Sequence, residues 1–208
     1  YEAGIKADFL GGRLSLQASA YHIDWKNIQL YTIFANQIVL ANAGAAKVDG
    51  FEVQAAAQPT DLLTISANVG HTNARISQID SGVSAYIGAF AGDPIPRTPR
   101  WTGSATVDQL IPLGDDFQGQ LGGTVRLQSH MVTSYPGSVT NPNARLKGIN
   151  TVDLRAGLRY QRYQVQFRVE NLFNEKGVIN YNPGGGAVPA SAYLIRPRSF
   201  TLALSTTF

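Results

Sequence analysis

Phe200-Thr201-Leu202-Ala203-Leu204-Ser205-Thr206-Thr207-Phe208 ends the sequence in strict alternation. Phe200, Leu202, Leu204 and Thr206 share one parity with Phe208, while Thr201, Ala203, Ser205 and Thr207 hold the other. Successive side chains of a strand point to opposite faces, so one face is greasy and the other small or polar. A soluble edge strand could carry this pattern. A strand that runs to a final aromatic residue is more typical of an outer-membrane barrel, whose last strand must close the sheet.

The same alternation continues upstream. Val165, Phe167 and Val169 oppose Gln164, Gln166, Arg168 and Glu170; Val152, Leu154, Ala156 and Leu158 oppose Asp153, Arg155, Gly157 and Arg159. Leu121, Val125 and Leu127 face away from Gln120, Thr124, Arg126 and Gln128, and Trp101, Ala105 and Val107 from Thr102, Ser104, Thr106 and Asp108. Residues 63–69 and 47–58 behave alike, with Leu63, Ile65, Ala67 and Val69 in one and Phe51, Val53, Ala55 and Ala57 in the other. Segment 13–30 places Leu14, Leu16, Ala18 and Ala20 on one face. Its apolar parity then moves to Tyr21, Ile23 and Trp25, which signals a bulge or an exit from the bilayer. With residues 2–9 this makes nine strand segments, and no stretch has helical periodicity.

Connections alternate in length. Those at 10–12, 59–61, 114–116 and 161–162 are tight, and those at 31–46, 77–96, 131–147 and 174–192 are long. Short turns on one side and long loops on the other describe an outer-membrane barrel; a soluble β-sandwich has no reason to sort its loops this way. The final strand then descends towards the periplasm. Tyr21, Trp25, Trp101, Tyr160 and Tyr163 fall towards strand ends, where interfacial belts belong.

Composition agrees. Only 15% of the 208 residues are charged, against roughly 25% in soluble domains, yet no run reaches the roughly 20 apolar residues of a membrane helix. A net charge of +3 without a basic run gives no signal for nucleic acid. The absence of Cys removes thiolate metal sites and thiol catalysis. Three separated His (His22, His71 and His130) make no metal motif, and no convergent catalytic set is present, so neither an enzyme nor a bound cofactor is expected. The chain begins at Tyr1, without Met or a signal sequence, and reads as a mature or internal piece.

Several segments resemble the TonB-dependent outer-membrane receptor family. They are Tyr1-Glu2-Ala3-Gly4-Ile5-Lys6, Asp24-Trp25-Lys26-Asn27-Ile28-Gln29, Asn42-Ala43-Gly44-Ala45-Ala46-Lys47 leading into Gly50-Phe51-Glu52-Val53, and Pro96-Arg97-Thr98-Pro99-Arg100-Trp101. The most specific is Val169-Glu170-Asn171-Leu172-Phe173-Asn174, followed by Arg196-Pro197-Arg198-Ser199-Phe200 and the terminal Phe208. The resemblance spans essentially the whole of residues 1–208. It implies an all-β, antiparallel transmembrane β-barrel of about 22 strands, of which these would be the last nine, with the plug domain and TonB box absent. Nine strands alone would leave raw edges in lipid, so this piece is expected to exist only beside the rest of its barrel.

The resemblance further implies active import of a scarce nutrient, usually a ferric siderophore, across the bacterial outer membrane. The implied partners are the TonB-ExbB-ExbD energy-coupling complex, outer-membrane lipid and lipopolysaccharide, and the barrel assembly machinery through Phe208. A non-energised porin-like barrel and a soluble β-sandwich binding module are the alternatives. Candidate ligand contacts are the loop aromatics Tyr86, Phe90, Tyr135 and Tyr181, and the lumenal cations Arg126, Arg155 and Arg168. Each has a plainer role: the aromatics pack loops together, and the arginines pair with Glu52, Glu170, Asp153 or the missing plug. Gly184-Gly185-Gly186 is read as a loop tip, since no helix follows it to make a phosphate site.

Overall fold

Backbone pairing joins the nine alternating segments in chain order, each antiparallel to the last. The computed structural model describes residues 1–34, 37–138, 144–182 and 189–207, so Phe208 and Gly184-Gly185-Gly186 lie outside the described residues. The strands are β1 (Glu2–Phe9), β2 (Leu14–Phe34), β3 (Gln37–Thr60), β4 (Leu63–Ile79), β5 (Trp101–Pro112), β6 (Phe117–Gln128), β7 (Met131–Val132), β8 (Arg145–Leu146), β9 (Ile149–Tyr160), β10 (Tyr163–Glu170), β11 (Val178–Asn182), β12 (Ser191–Leu194) and β13 (Ser199–Thr206). The main sheet runs β1-β2-β3-β4-β5-β6-β9-β10-β13; β7 with β8, and β11 with β12, form small pairs inside the long connections.

Register decides what the alternation means. One cross-strand row passes through Phe9, Leu14, Ala57, Ile65, Val107, Gly123, Leu154, Val169 and Phe200, apolar or glycine in every strand. The adjacent row on the opposite face is Asp8, Ser15, Ala56, Ser66, Thr106, Thr124 and Asp153. A slip of one residue in any strand would put its whole apolar set on the polar face, so nine patterns in phase specify one two-faced sheet. The row also climbs, from the turn end of β1 to the loop end of β13. That stagger is the shear of tilted barrel strands.

Aromatic rows bound the apolar face. Near the tight turns Phe117 stacks on Tyr160 with ring centroids 4.5 Å apart, and Tyr163 pairs opposite Tyr160. Near the long connections Phe51, His71 and Trp101 form a second row, with centroids 5.6 Å (Phe51 to His71) and 4.5 Å (His71 to Trp101) apart. His71, which shares the outward parity of Val69, thus packs between two aromatic rings. Exposed Leu121, Leu127, Phe167, Leu202 and Leu204 lie between the two levels, as a lipid-facing band requires.

Two expectations are corrected here. The stretch 31–46 is not a long loop: β2 and β3 run to 21 and 24 residues, and β4 to 17, against 12 for β5. A tilted strand crosses a bilayer in about 9–11 residues, so β2 to β4 continue well past the band. The parity change at Tyr21 is the exit, because pairing is uninterrupted there and the bulge comes later, at Asn27. Nor is the chain free of helix. The short helix α1 (Ser81–Ile87) lies in the connection between β4 and β5; the Asp80 carboxylate caps it by accepting from the Gly82 N–H, and Gly88 ends it at φ 67°.

The long connections fold into a packed layer at the loop end. Ala89 from the α1 connection and Tyr135 from the β7 connection are buried with Ile28, Ala46 and Ile76, and Leu30, Ile79, Ile87 and Ile95 pack around them. Two backbone bonds tie the connections together: the Gly137 N–H donates to the Gly88 carbonyl at 2.9 Å, and the Arg97 N–H to the Val132 carbonyl at 2.8 Å.

Candidate functional site

The polar face divides into two sectors. From β2 to β4 it is small and nearly neutral, with Ser15, Gln17, Gln54, Ala56, Ser66 and Asn68. From β5 to β10 it carries charge. Arg155 on β9 reaches across β6 to Asp108 on β5, its Nε donating to Asp108 Oδ1 at 2.7 Å and a second nitrogen pairing with Oδ2. Its Nη1 also donates to Thr124 Oγ1 at 3.2 Å. Asp108, Gly122 and Arg155 occupy one cross-strand row. A Cβ on Gly122 would sit 2.6 Å from Arg155 Nε, so the glycine is what lets the pair cross β6.

Higher on the same wall Arg126 pairs with the Asp153 carboxylate, which also accepts the Asn171 N–H at 2.9 Å. Glu170 accepts from Arg196 Nη1 at 3.2 Å and from the Ser199 hydroxyl at 3.1 Å. A cleft of about 610 Å³ opens here; its polar lining includes Asn68, Ser104, Arg126, Asp153, Glu170 and Arg196. Ile179 and Ile195, from the connection between β10 and β13, add apolar surface at its edge. Each guanidinium is paired with a carboxylate, so this lining is balanced in charge, and its hydroxyl and amide groups beside apolar surface suit a polar ligand with an organic body.

Asn171 fixes this end of the wall. It is buried, at φ 51°. Its side-chain amide donates to the Glu175 and Arg196 carbonyls at 2.9 and 3.0 Å and its oxygen accepts the Glu175 N–H at 2.8 Å. Asn174, at φ 54°, accepts the Arg198 N–H. The most specific motif of the sequence is therefore a turn that ties the β10 exit to the approach of β13.

The candidate residues separate. Arg126 lines the cleft and pairs with Asp153, one of the acids expected for it; Arg155 pairs instead with Asp108, which sequence reasoning had not matched to it. Arg168 stands directly opposite Arg155 and makes a 3.4 Å contact with Gln166 Oε1. Tyr135 is buried in the loop layer, where burial, with Asp93 nearby, pushes its phenol above its ordinary pKa. Tyr86 and Tyr181 are half-buried and Phe90 is exposed at 58%. None of these four lines the cleft. Sequence reasoning missed Arg196, Ser104 and Asn68 as cleft residues. The parity of Ser104 and Asn68 had placed them on the right face, but only register brings them to Arg126.

Tyr135→Ala removes a large ring from that layer and should loosen it by about 3 kcal/mol. Amide exchange at the Gly137 N–H should accelerate while the Val169 amide in β10 keeps its protection. Equal acceleration at both would contradict a locally packed layer.

The family model described as "TonB dependent receptor-like, beta-barrel" matches residues 1–172. The metal-pseudopaline receptor CntO of Pseudomonas aeruginosa is 27% identical over 180 residues, 85% of this chain and 23% of that protein. Among solved structures, the ferric yersiniabactin uptake receptor FyuA from Yersinia pestis superposes with a TM-score of 0.80 at 20% identity, over 100% of this chain and 29% of that one. The siderophore receptor PiuA from Acinetobacter baumannii gives 0.74 at 21% identity, over 99% and 28%. This chain therefore spans less than a third of the length of each of these proteins.

Proposed function

Because this chain belongs to the TonB-dependent receptor β-barrel family, whose members are outer-membrane barrels, we propose that it forms nine strands in the wall of a receptor that imports a metal chelate, a ferric siderophore in the first instance. The rest of the barrel, a plug and a TonB-contacting segment belong to regions outside this chain, and energy comes through the TonB-ExbB-ExbD complex. The supporting observation is the loop-end cleft, where Arg126 and Arg196 stand beside hydroxyl and amide donors on a polar wall. Relatives named for metal-pseudopaline and siderophore reception favour the same class of cargo. In this reading Arg126 and Arg196 exchange their Asp153 and Glu170 partners for the anionic oxygens of the chelate, and Asn68 and Ser104 bond its other ligand oxygens. Ile179 and Ile195 at the cleft edge take up its organic body, Tyr86, Phe90 and Tyr181 meet it from loops outside the cleft, and Arg155 and Arg168 set the positive field further down.

The test is uptake of radiolabelled ferric chelates by iron-starved cells whose only receptor is the full-length protein. Uptake should saturate and require TonB, and Arg126→Ala should raise the half-saturating concentration about tenfold, the loss of one charge-assisted bond. Non-saturating uptake that persists without TonB would instead mark a passive pore.

A further inference from the structure

Charge is distributed unevenly over the loop end. Residues 94–107 and 117–152 contain no Asp or Glu, yet they hold Arg97, Arg100, Arg126, Arg145 and Lys147. Arg126 lines the cleft and is paired with Asp153. The other four are exposed and make no ion pair with the described residues. The nearby carboxylates are engaged elsewhere: Asp80 caps α1, Asp93 accepts the Phe90 N–H, and Glu170 pairs with Arg196. Glu175 is followed directly by Lys176.

Backbone pairing gathers the four cations just beyond the cleft. Thr102, Gln128 and Ile149 line the cleft and form one cross-strand row, the last before the β7–β8 pair. Pairing continues past this row. The Thr72 N–H donates to the Arg100 carbonyl at 2.9 Å, which gives Arg100 the polar-face parity of Thr102. On β8 Arg145 stands opposite Val132, whose carbonyl accepts the Arg97 N–H at 2.8 Å. Neighbouring strands lie about 4.8 Å apart, so the backbones of Arg97 and Arg145 are about 10 Å apart across Val132. Lys147 follows in the short link from β8 to β9. Like charges brought this close repel one another and weaken the fold. Their placement therefore calls for a role outside folding.

We infer that this rim captures a net-anionic chelate, one whose ligand anions outweigh the charge of its metal. The inference rests on the metal-chelate reading above and names the class of chelate. Within the cleft Arg126 and Arg196 are already paired, so long-range attraction at its mouth comes from the rim. An unpaired cation cluster acts through its field: the screening length is about 30 Å in dilute salt and about 8 Å at physiological ionic strength. Steering of this kind raises association rates by about 10- to 1,000-fold and does little to dissociation.

The test measures binding kinetics of two ferric chelates on the full-length receptor in phosphatidylcholine nanodiscs, the trianionic complex of a tricatecholate and the uncharged complex of a trihydroxamate. In about 10 mM salt the trianionic chelate should associate about tenfold faster with wild type than with Arg100→Gln/Arg145→Gln/Lys147→Gln. The gap should close to within about twofold in about 1 M salt, with dissociation rates alike throughout. Arg100→Lys/Arg145→Lys/Lys147→Arg should keep the wild-type rate, and heat-modifiable gel migration reports an intact barrel in both variants. Equal association rates in wild type and the Gln variant, with saturable binding intact, would overturn the rim and leave the chelate reading standing. Saturable binding of the uncharged chelate alone would do the same. Absence of binding by either chelate would overturn the chelate reading and this inference with it.

Discussion

Asn171→Ala should cost the assembled barrel about 2–4 kcal/mol and loosen the loop end of β9, β10 and β13. Three bonds disappear at a residue only 5% exposed, each with a net worth of about 1 kcal/mol. Alanine at φ 51° adds about 1 kcal/mol of backbone strain that asparagine tolerates better. The two contributions can be separated. Asn171→Gly relieves the dihedral without restoring any side-chain bond, so it should recover about the strain and no more. Urea unfolding of the full-length receptor refolded into bilayers, followed by heat-modifiable migration, should order the variants wild type, Gly, Ala. A Gly variant as stable as wild type would mean that the side-chain bonds contribute nothing. The functional consequence is local, since the Asn171 N–H holds Asp153, the partner of Arg126, and its side chain holds the backbone of Arg196.

Within the membrane band the fold was legible because lipid enforces the code. The expected strand 2–9 matches β1, and the alternations at 152–158 and 165–170 lie within β9 and β10, where each residue must choose between lipid and a polar wall. Past the aromatic row that choice vanishes. The upper parts of β2 and β3 have no lipid on either side, their period of two fades, and 31–46 reads as loop although most of it is paired. The helix α1 failed to register for a different reason: seven residues are too few to establish a period. Its caps were nevertheless present in the sequence as Asp80 and Gly88, the polar starter and left-handed stop that flank a short helix. The site shows the same division. Arg126 and Asp153 could be matched as opposite charges on polar faces of different strands. Matching Arg155 to Asp108 needs the register of the strand between them, which alternation does not encode.

That crossing carries the second large effect. Gly122→Ala should destabilise the barrel by about 2 kcal/mol, and only while the pair beneath it exists. The new methyl would lie well inside van der Waals contact with both the Arg155 guanidinium and Asp108 Oδ1, so the two charges must part or the sheet must shift. The Arg155 and Asp108 side chains are 17% and 28% exposed, between the exposed pairs worth about 0–1 kcal/mol and the buried pairs whose disruption costs about 3–5. Asp108→Ala alone should therefore cost about 2 kcal/mol, mostly by leaving Arg155 uncompensated on the wall. Removing both partners should cost less than the sum of the two single changes. In the Asp108→Ala/Arg155→Ala background the row at 122 is empty, and Gly122→Ala should become nearly neutral, since a strand interior favours alanine over glycine. The triple cycle reads directly from urea midpoints of the full-length receptor. A Gly122→Ala penalty that persists after both charges are removed would show that the glycine serves sheet curvature rather than the ion pair.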